Sequence, residues 1–171
     1  MPVAMKRLSL LLAVVALCAA APDAVAQEPT SRVLSTWDDP VKLADGTETV
    51  YRYEVSFDYA TGVTLRRAYD ASGALVETME LSQQPGPTPE EIAEAKALIQ
   101  QDAELSSALV QSNATIDGGF ILFADQHPAC AAPARCLQFD LMPPSKIESV
   151  RFVVGDLSKR AIVERDLFPD L

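Results

Sequence analysis

The sequence predicts an α+β fold, in which an antiparallel β-sheet packs on one amphipathic helical segment in the order βββ-α-ββββ. Two observations predict it. Apolar residues alternate with polar ones over residues 51–58, as in a half-buried antiparallel strand, and further short strand-like runs follow up to residue 81 and after residue 119. Between these regions the apolar residues recur at helical spacing, and one helix against such a sheet buries an apolar face of each.

The first three predicted strands form a meander. The segment YRYEVSFD at 51–58 places its aromatic and apolar side chains on one face and its polar side chains on the other. The runs VTLRRAY and ALVETMEL follow after turns at Gly62 and Gly73. Turns this short join strands that are antiparallel neighbours in a sheet.

The helical segment is predicted over 89–110. Thr88 is a favourable N-cap, Pro89 occupies the first helical position, and Glu91 completes a capping box. Asp102 is placed to cap a second piece if the helix is interrupted. A stripe at helical spacing is more often core-facing than partner-binding, and we expect it to face the core. Its members are Ile92, Ala95, Leu98, Ile99, Leu105 and Leu109.

Four more strands are predicted after the helix. They are FILFA, CLQFDLM, KIESVRFVVGD and AIVERDLF, the last two joined by a turn at DLSKR. The segments DASGALVE at 70–77 and DLSKRAIVE at 156–164 share Asp-x-Ser, an aliphatic pair and Glu. Hairpins reuse the same turn residues, so this similarity is compatible with either chance or an internal duplication.

The N-terminus has the layout of a secretory signal peptide over 1–26. A short basic region precedes the apolar run LSLLLAVVALCAA, and AVA provides a cleavage site between Ala26 and Gln27. The apolar run is shorter than the roughly 20 residues of a membrane span, and lipidation of Cys18 is disfavoured by the bulky Leu17 before it. We therefore expect a periplasmic or secreted protein with no stable membrane anchor after cleavage.

The exported chain is expected to have a mobile, turn-rich segment over 27–48 and a single α+β domain over 49–171. The full chain has a net charge of −10, and a leader with two basic and one acidic residue would leave −11. This acidity argues against nucleic acid and anionic membrane surfaces as partners. It does not indicate an oligomeric state.

The residues that carry enzyme chemistry are scarce. The chain has one histidine and lacks the G-x-S-x-G, phosphate-loop, H-E-x-x-H, EF-hand and C-x-x-C motifs. Its adjacent carboxylates, such as Asp38 with Asp39 and Glu90 with Glu91, are expected to be solvated rather than paired across a cleft. The sequence therefore predicts no catalytic residue, no cofactor and no resident metal.

The segment FADQHPACAAPARCLQF contains the only candidate site. In an exported protein Cys130 and Cys136 are expected to form a disulfide, because their compartment is oxidising and the turn between them lets the chain double back. The alternatives are a metal or copper contact with Asp125, His127 and both cysteines as ligands, and a redox function. The bridged loop would present Asp125, His127 and Arg135 to a partner.

The segments YRYEVSFDYATGVTLRRAYDASGALVETMEL and PTPEEIAEAKALIQQDAEL resemble the small N-terminal domains of copper amine oxidases, and FVVGDLSKRAIVERDLF is similar to their closing hairpin. The D-A-x-G-x-L/V hairpin is also similar to PepSY-type domains. The first resemblance implies a cystatin-like α+β arrangement and a non-catalytic recognition or accessory role. The family's copper-ligating histidines and its Asn-Tyr-Asp/Glu segment have no counterpart here, so no catalytic residue is carried over.

The expected function is a non-catalytic binding or accessory module, with another exported protein as its partner. The first alternative is an inhibitor of a hydrolase, by analogy with cystatin-like folds, although the Q-x-V-x-G hairpin of cystatins is missing. The second alternative is a carrier of a small ligand in a pocket between helix and sheet.

Overall fold

A computed structural model of the chain describes residues 30–145 and 151–167. The predicted signal peptide, its cleavage site at Ala26 and Gln27, and the start of the KIESVRFVVGD strand lie outside the described residues. Before the helices, the strands are β1 (Ser31–Lys42), β2 (Glu48–Asp58), β3 (Thr64–Tyr69) and β4 (Leu75–Leu81). After helices α1 (Pro89–Gln101) and α2 (Ala103–Ser112) come β5 (Thr115–Leu122), β6 (Cys136–Met142), β7 (Arg151–Asp156) and β8 (Ala161–Glu164). A single 3₁₀ turn, Pro128–Cys130, lies between β5 and β6.

The strands form two antiparallel sheets, which confirms a mixed α+β fold. Sheet A has the order β1-β2-β3-β4 and sheet B the order β5-β6-β7-β8. The prediction of one sheet is wrong, as is the βββ-α-ββββ order, because four strands precede the two helices. Turn signals reveal which consecutive strands are neighbours, but they do not reveal where one sheet ends and another begins.

Strand β1 occupies part of the segment for which the sequence predicted no regular element. It pairs with β2 along almost its whole length, from Ser31 opposite Asp58 to Lys42 opposite Glu48. Most of its side chains are exposed. An edge strand of this kind is held by backbone hydrogen bonds, so it does not need the alternating apolar residues that reveal a half-buried strand.

The helical segment is built as its capping residues indicate. The Thr88 side chain accepts from the Glu91 amide, and the Glu91 carboxylate accepts from the Thr88 amide, so the capping box is present. Helix α1 ends at Asp102, whose carboxylate then accepts from the Glu104 and Leu105 amides at the start of α2. One residue thus ends the first helix and caps the second, as predicted.

The main core lies between the helices and sheet B. The helices contribute Ala95, Ile99 and Leu105, and sheet B and its last turn contribute Leu137, Phe139, Leu141, Val153 and Leu157. All eight side chains are buried. The helical stripe therefore faces the core, as the sequence predicted.

The two Asp-x-Ser turns occupy the same place in the two sheets, between the third and fourth strands. In the first, the Asp70 carboxylate accepts from the Ser72 amide at 2.8 Å, and in the second Asp156 accepts from the Ser158 amide at 2.9 Å. The sequence similarity of these segments thus corresponds to one hydrogen-bonded turn used twice.

Candidate interaction surface

The predicted disulfide between Cys130 and Cys136 is present, with the two Cα atoms 5.6 Å apart. It closes a short loop, residues 130–136, which we call the cystine loop. Both sulfur atoms are used in this bridge, so the alternative ligand set of Asp125, His127, Cys130 and Cys136 does not form. Among the described residues, no group of three or more His, Cys, Asp or Glu side chains is arranged to hold a metal ion.

The prediction that Arg135 is presented to a partner is wrong. Its side chain is 0% exposed and points from the cystine loop into the molecule. The guanidinium lies 4.9 Å from the centre of the Phe57 ring, over its face. A charge this deeply buried requires a partner of opposite charge, and spacing in the sequence does not reveal one.

That partner is Glu91, which is also fully buried. Arg135 donates through Nε and Nη2 to the two carboxylate oxygens of Glu91, at 2.5 and 2.8 Å. Tyr59 donates its hydroxyl hydrogen to the same carboxylate. Burial raises the pKa of Glu91, but the hydrogen bonds from Arg135 and Tyr59 outweigh it and hold that pKa below its ordinary value.

The remaining donors of Arg135 bind the connection between β4 and α1. Nη1 donates to the Gln84 side chain and the Pro85 carbonyl, and Nη2 donates to the Gly86 carbonyl. Gln84 in turn donates to the carbonyl of Ala134. The ion pair therefore joins three parts of the chain, namely the cystine loop, the β4–α1 connection and the first turn of α1.

Sheet A meets the rest of the molecule at this ion pair. Phe57 and Tyr59, at the end of β2, contact it, and we call Phe57, Tyr59, Glu91 and Arg135 the buried junction. The β2–β3 turn also lies against the cystine loop. A Cβ atom on Gly62, whose φ is +75°, would lie 2.7 Å from Pro133 Cα, so only glycine fits there.

The other two predicted contact residues, Asp125 and His127, differ in their exposure. Asp125 is exposed. His127 is half-buried, with Nε2 3.7 Å from a Glu164 carboxylate oxygen and Nδ1 4.0 Å from Cys130 Sγ. The structure therefore does not bring Asp125, His127 and Arg135 together on one surface.

A different surface is built from one side chain of each strand of sheet A. Trp37 lies opposite Tyr53, and Met79 lies opposite Arg66, all on the face of the sheet that carries Phe57. We call Trp37, Tyr53, Arg66 and Met79 the four-strand stripe. Trp37 and Met79 are each 42% exposed.

Three members of the stripe contact one another across the sheet, and the fourth, Met79, lies opposite Arg66 in the register. The rings of Trp37 and Tyr53 stack with their centres 5.2 Å apart. The Arg66 guanidinium lies 5.5 Å from the centre of the Tyr53 ring and 3.3 Å from a Glu77 carboxylate oxygen. Trp37, Tyr53 and Arg66 are therefore held in place by one another before any partner arrives, with Met79 beside them on the neighbouring strand.

The same face of sheet A is buried near the buried junction and along its central strands, and exposed on its outer strands. Phe57, Thr64, Val55 and Ala68 are buried, whereas Trp37 and Met79, on β1 and β4, are exposed. Alternation in YRYEVSFD predicted the apolar face correctly but could not show that only its last residues are covered. The signal that the sequence offers for the stripe is the chain's single tryptophan, in a segment without sustained periodicity.

A cleft of about 380 Å³ lies between sheet A and α1. Arg32, Tyr59, Glu94 and Ser158 are among the residues that line it. Glu94 accepts from Arg32 at 2.9 Å, so part of the cleft's charge is already paired.

In the described part of the chain, no helix is long and apolar enough to span a membrane.

Comparison of the sequence with protein-family models and with curated proteins finds no match. The resemblance to copper amine oxidase N-terminal domains and to PepSY-type domains therefore stays a prediction.

Proposed function

We propose that this protein is an exported, non-catalytic binding module that holds another exported protein on the four-strand stripe of sheet A. The observation that carries the proposal is the exposure of Trp37, stacked on Tyr53, on a sheet face that no described element covers at that end.

The composition of the stripe supports a protein partner. Trp, Tyr, Arg and Met are the side chains enriched at the centres of protein interfaces, and Trp, Tyr and Arg dominate their binding energy. A large aromatic contact loses little conformational entropy when its rotamer is already fixed, and the Trp37–Tyr53 stack fixes both rings. Exposed apolar side chains that adjoin one another more often mark a binding site than scattered ones do.

The test is capture of the partner by matched variants of the full exported chain. Wild-type protein, Trp37→Ser and Phe120→Ser are immobilised and exposed to the exported fraction of the source cells. Phe120 is 66% exposed on sheet B and serves as the control. We expect wild type and Phe120→Ser to retain one protein in stoichiometric amount. Trp37→Ser should retain at least about tenfold less of that protein, because it loses an interface hot spot.

Retention that is equal for all three variants would refute the stripe as the binding surface. If the captured protein is a hydrolase that loses activity at equimolar ratio, the module is an inhibitor.

The export step is tested separately by the intact mass of the protein recovered from that fraction. Cleavage between Ala26 and Gln27 and loss of both thiol hydrogens are expected. A retained leader or free thiols at Cys130 and Cys136 would refute export as proposed.

A second candidate function is binding of a small ligand in the cleft beside Tyr59. Its volume is within the range of small-molecule sites, and Arg32 and Ser158 line it together with apolar surface. Thermal-shift screening of the exported chain against small carboxylates, amines and sugars is the test. Stabilisation that Arg32→Ala abolishes would support a carrier, and the absence of any shift would exclude it.

A further inference from the structure

We propose that β4 accepts an extended, basic segment of another polypeptide as an additional strand of sheet A. This inference rests on the proposed function, since both assign the partner to sheet A, but it concerns the edge of the sheet rather than its face. Six of the seven residues of β4 are exposed, from Leu75 to Glu80. No strand in the described ranges pairs with its outer side.

The other three edge strands carry features that prevent strand addition. Strand β1 contains Asp38, Asp39 and Pro40, and both charge and proline protect an edge. Strand β5 is interrupted by Gly118 and Gly119, both with positive φ, where its register with β6 shifts. Strand β8 has four residues. Strand β4 is longer than β8, has no proline or positive-φ glycine, and its protection consists of the charges of Glu77 and Glu80, which an incoming strand of opposite charge would neutralise.

The hydrogen-bonding phase shows which backbone groups of β4 are free. The Asp58 amide donates to the Val63 carbonyl, so Val63 faces β2. Because the direction alternates along an antiparallel strand, Arg66 faces β4, where its partner is Met79. The backbone N–H and C=O of Thr78, the residue before Met79, therefore point away from the sheet and are available to an incoming strand.

The charge of this edge selects a basic occupant. Glu77 and Glu80 are the charged residues of β4, and they point to opposite faces of the sheet. Glu77 is bound by Arg66, whereas Glu80 has no ion-pair partner in the described part of the chain. A second copy of this protein would place the same carboxylates opposite these ones and would bring a second acidic chain, whose full sequence has a net charge of −10, so its addition is unfavourable. Lysine or arginine on the incoming strand would pair with Glu80 and would share Glu77 with Arg66.

The experiment measures binding of a labelled peptide to the full exported chain by fluorescence anisotropy. The probe is about nine residues of valine and threonine, near the upper end of ordinary strand lengths, with two lysines spaced as Glu77 and Glu80 are. The control peptide carries glutamate at both lysine positions. We expect the lysine peptide to bind and the glutamate peptide not to bind. Affinity should fall when ionic strength rises from about 0.01 to about 0.1 M, which shortens the screening length from about 30 to about 10 Å.

Two protein variants locate the site. Thr78→Pro removes an outward N–H without removing a bond to β3, and we expect affinity to fall at least about tenfold. Thr78→Val keeps that N–H and should bind as wild type does. If Thr78→Pro fails to fold, a peptide methylated on alternate backbone nitrogens gives the same information, because it cannot donate to β4.

The proposal is overturned if Thr78→Pro and the methylated peptide bind normally, if the glutamate peptide binds equally well, or if sedimentation shows a homodimer that Thr78→Pro dissociates. If strand addition at β4 is overturned but partner capture still depends on Trp37, the proposed function stands. If the lysine peptide binds at β4 but partner capture does not depend on Trp37, the stripe is refuted as the binding surface and strand addition at β4 stands.

Discussion

Sheet A and sheet B have the same number of strands in the same consecutive order, yet they are stabilised in different ways. In β6, a central strand of sheet B, four of seven side chains are buried against the helices or beneath the cystine loop. In β2, a central strand of sheet A, three of eleven are buried, all at the end near the buried junction, and in the edge strand β4 none is buried. Sheet B therefore has a hydrophobic core of its own, whereas sheet A depends on cross-strand pairs and on the buried junction at one end. Equal topology does not imply equal roles, because burial depends on what lies against each face.

The largest expected effect comes from breaking the contact that joins sheet A to the rest of the molecule. Arg135→Ala leaves Glu91 buried without its counter-ion, and we expect the free energy of unfolding to fall by about 3–5 kcal/mol in urea denaturation. Arg52→Ala, which removes an exposed arginine from sheet A, is the control and should stay within about 0.5 kcal/mol of wild type. Equal losses in both variants would show that the buried junction does not hold sheet A in place.

The core of sheet B is probed by a matched pair of phenylalanines. Phe139→Ala opens a cavity between β6 and the helices and should cost about 3–5 kcal/mol. Phe120→Ala, on the neighbouring strand but exposed, should cost about 0.5 kcal/mol or less. Thermal and urea unfolding of both variants make the comparison. A small loss for Phe139→Ala would contradict a single main core between the helices and sheet B.

The buried junction also predicts a pH dependence. The pKa of Glu91 is lower in the folded protein than its ordinary value of 4.5, so its contribution to stability is fully present above that pH. That contribution is lost as the pH falls through the folded-state pKa. Urea midpoints measured from neutral to acidic pH should therefore drop less steeply for Glu91→Gln than for wild type. Glu90→Gln, which changes an exposed neighbour, should follow the wild-type curve, and a parallel curve for Glu91→Gln would contradict the assignment.

The smallest effect on stability is expected in the four-strand stripe. Trp37→Ala removes a stacked pair on an exposed face, which is worth about 1 kcal/mol, far less than the core substitution. Its unfolding should stay cooperative, and its circular dichroism should differ from that of wild type only in the aromatic region. A loss as large as that of Phe139→Ala would mean that Trp37 is structural, and the stripe would no longer qualify as a free binding surface.

The elements that the sequence predicted well are those whose signals are local. The capping box of Thr88 and Glu91 involves residues close in the chain, and so does the disulfide of Cys130 and Cys136. Strand β1 was missed because an edge strand held by backbone pairing needs no apolar pattern. Arg135 was placed on the outside because its partner Glu91 lies far away in sequence, and only the fold brings them together. The stripe was missed for a related reason, since its four members come from four different strands.

Two of the acceptors that bind Arg135 are the main-chain carbonyls of Pro85 and Gly86. A carbonyl is present whichever side chain follows it, so these bonds survive replacement of either residue, provided the chain keeps its path. Mutational tolerance should therefore be uneven across a short distance. Pro85 and Gly86 are free to change, whereas Gln84, Glu91 and Arg135, whose side chains form the contact, must change together or stay as they are.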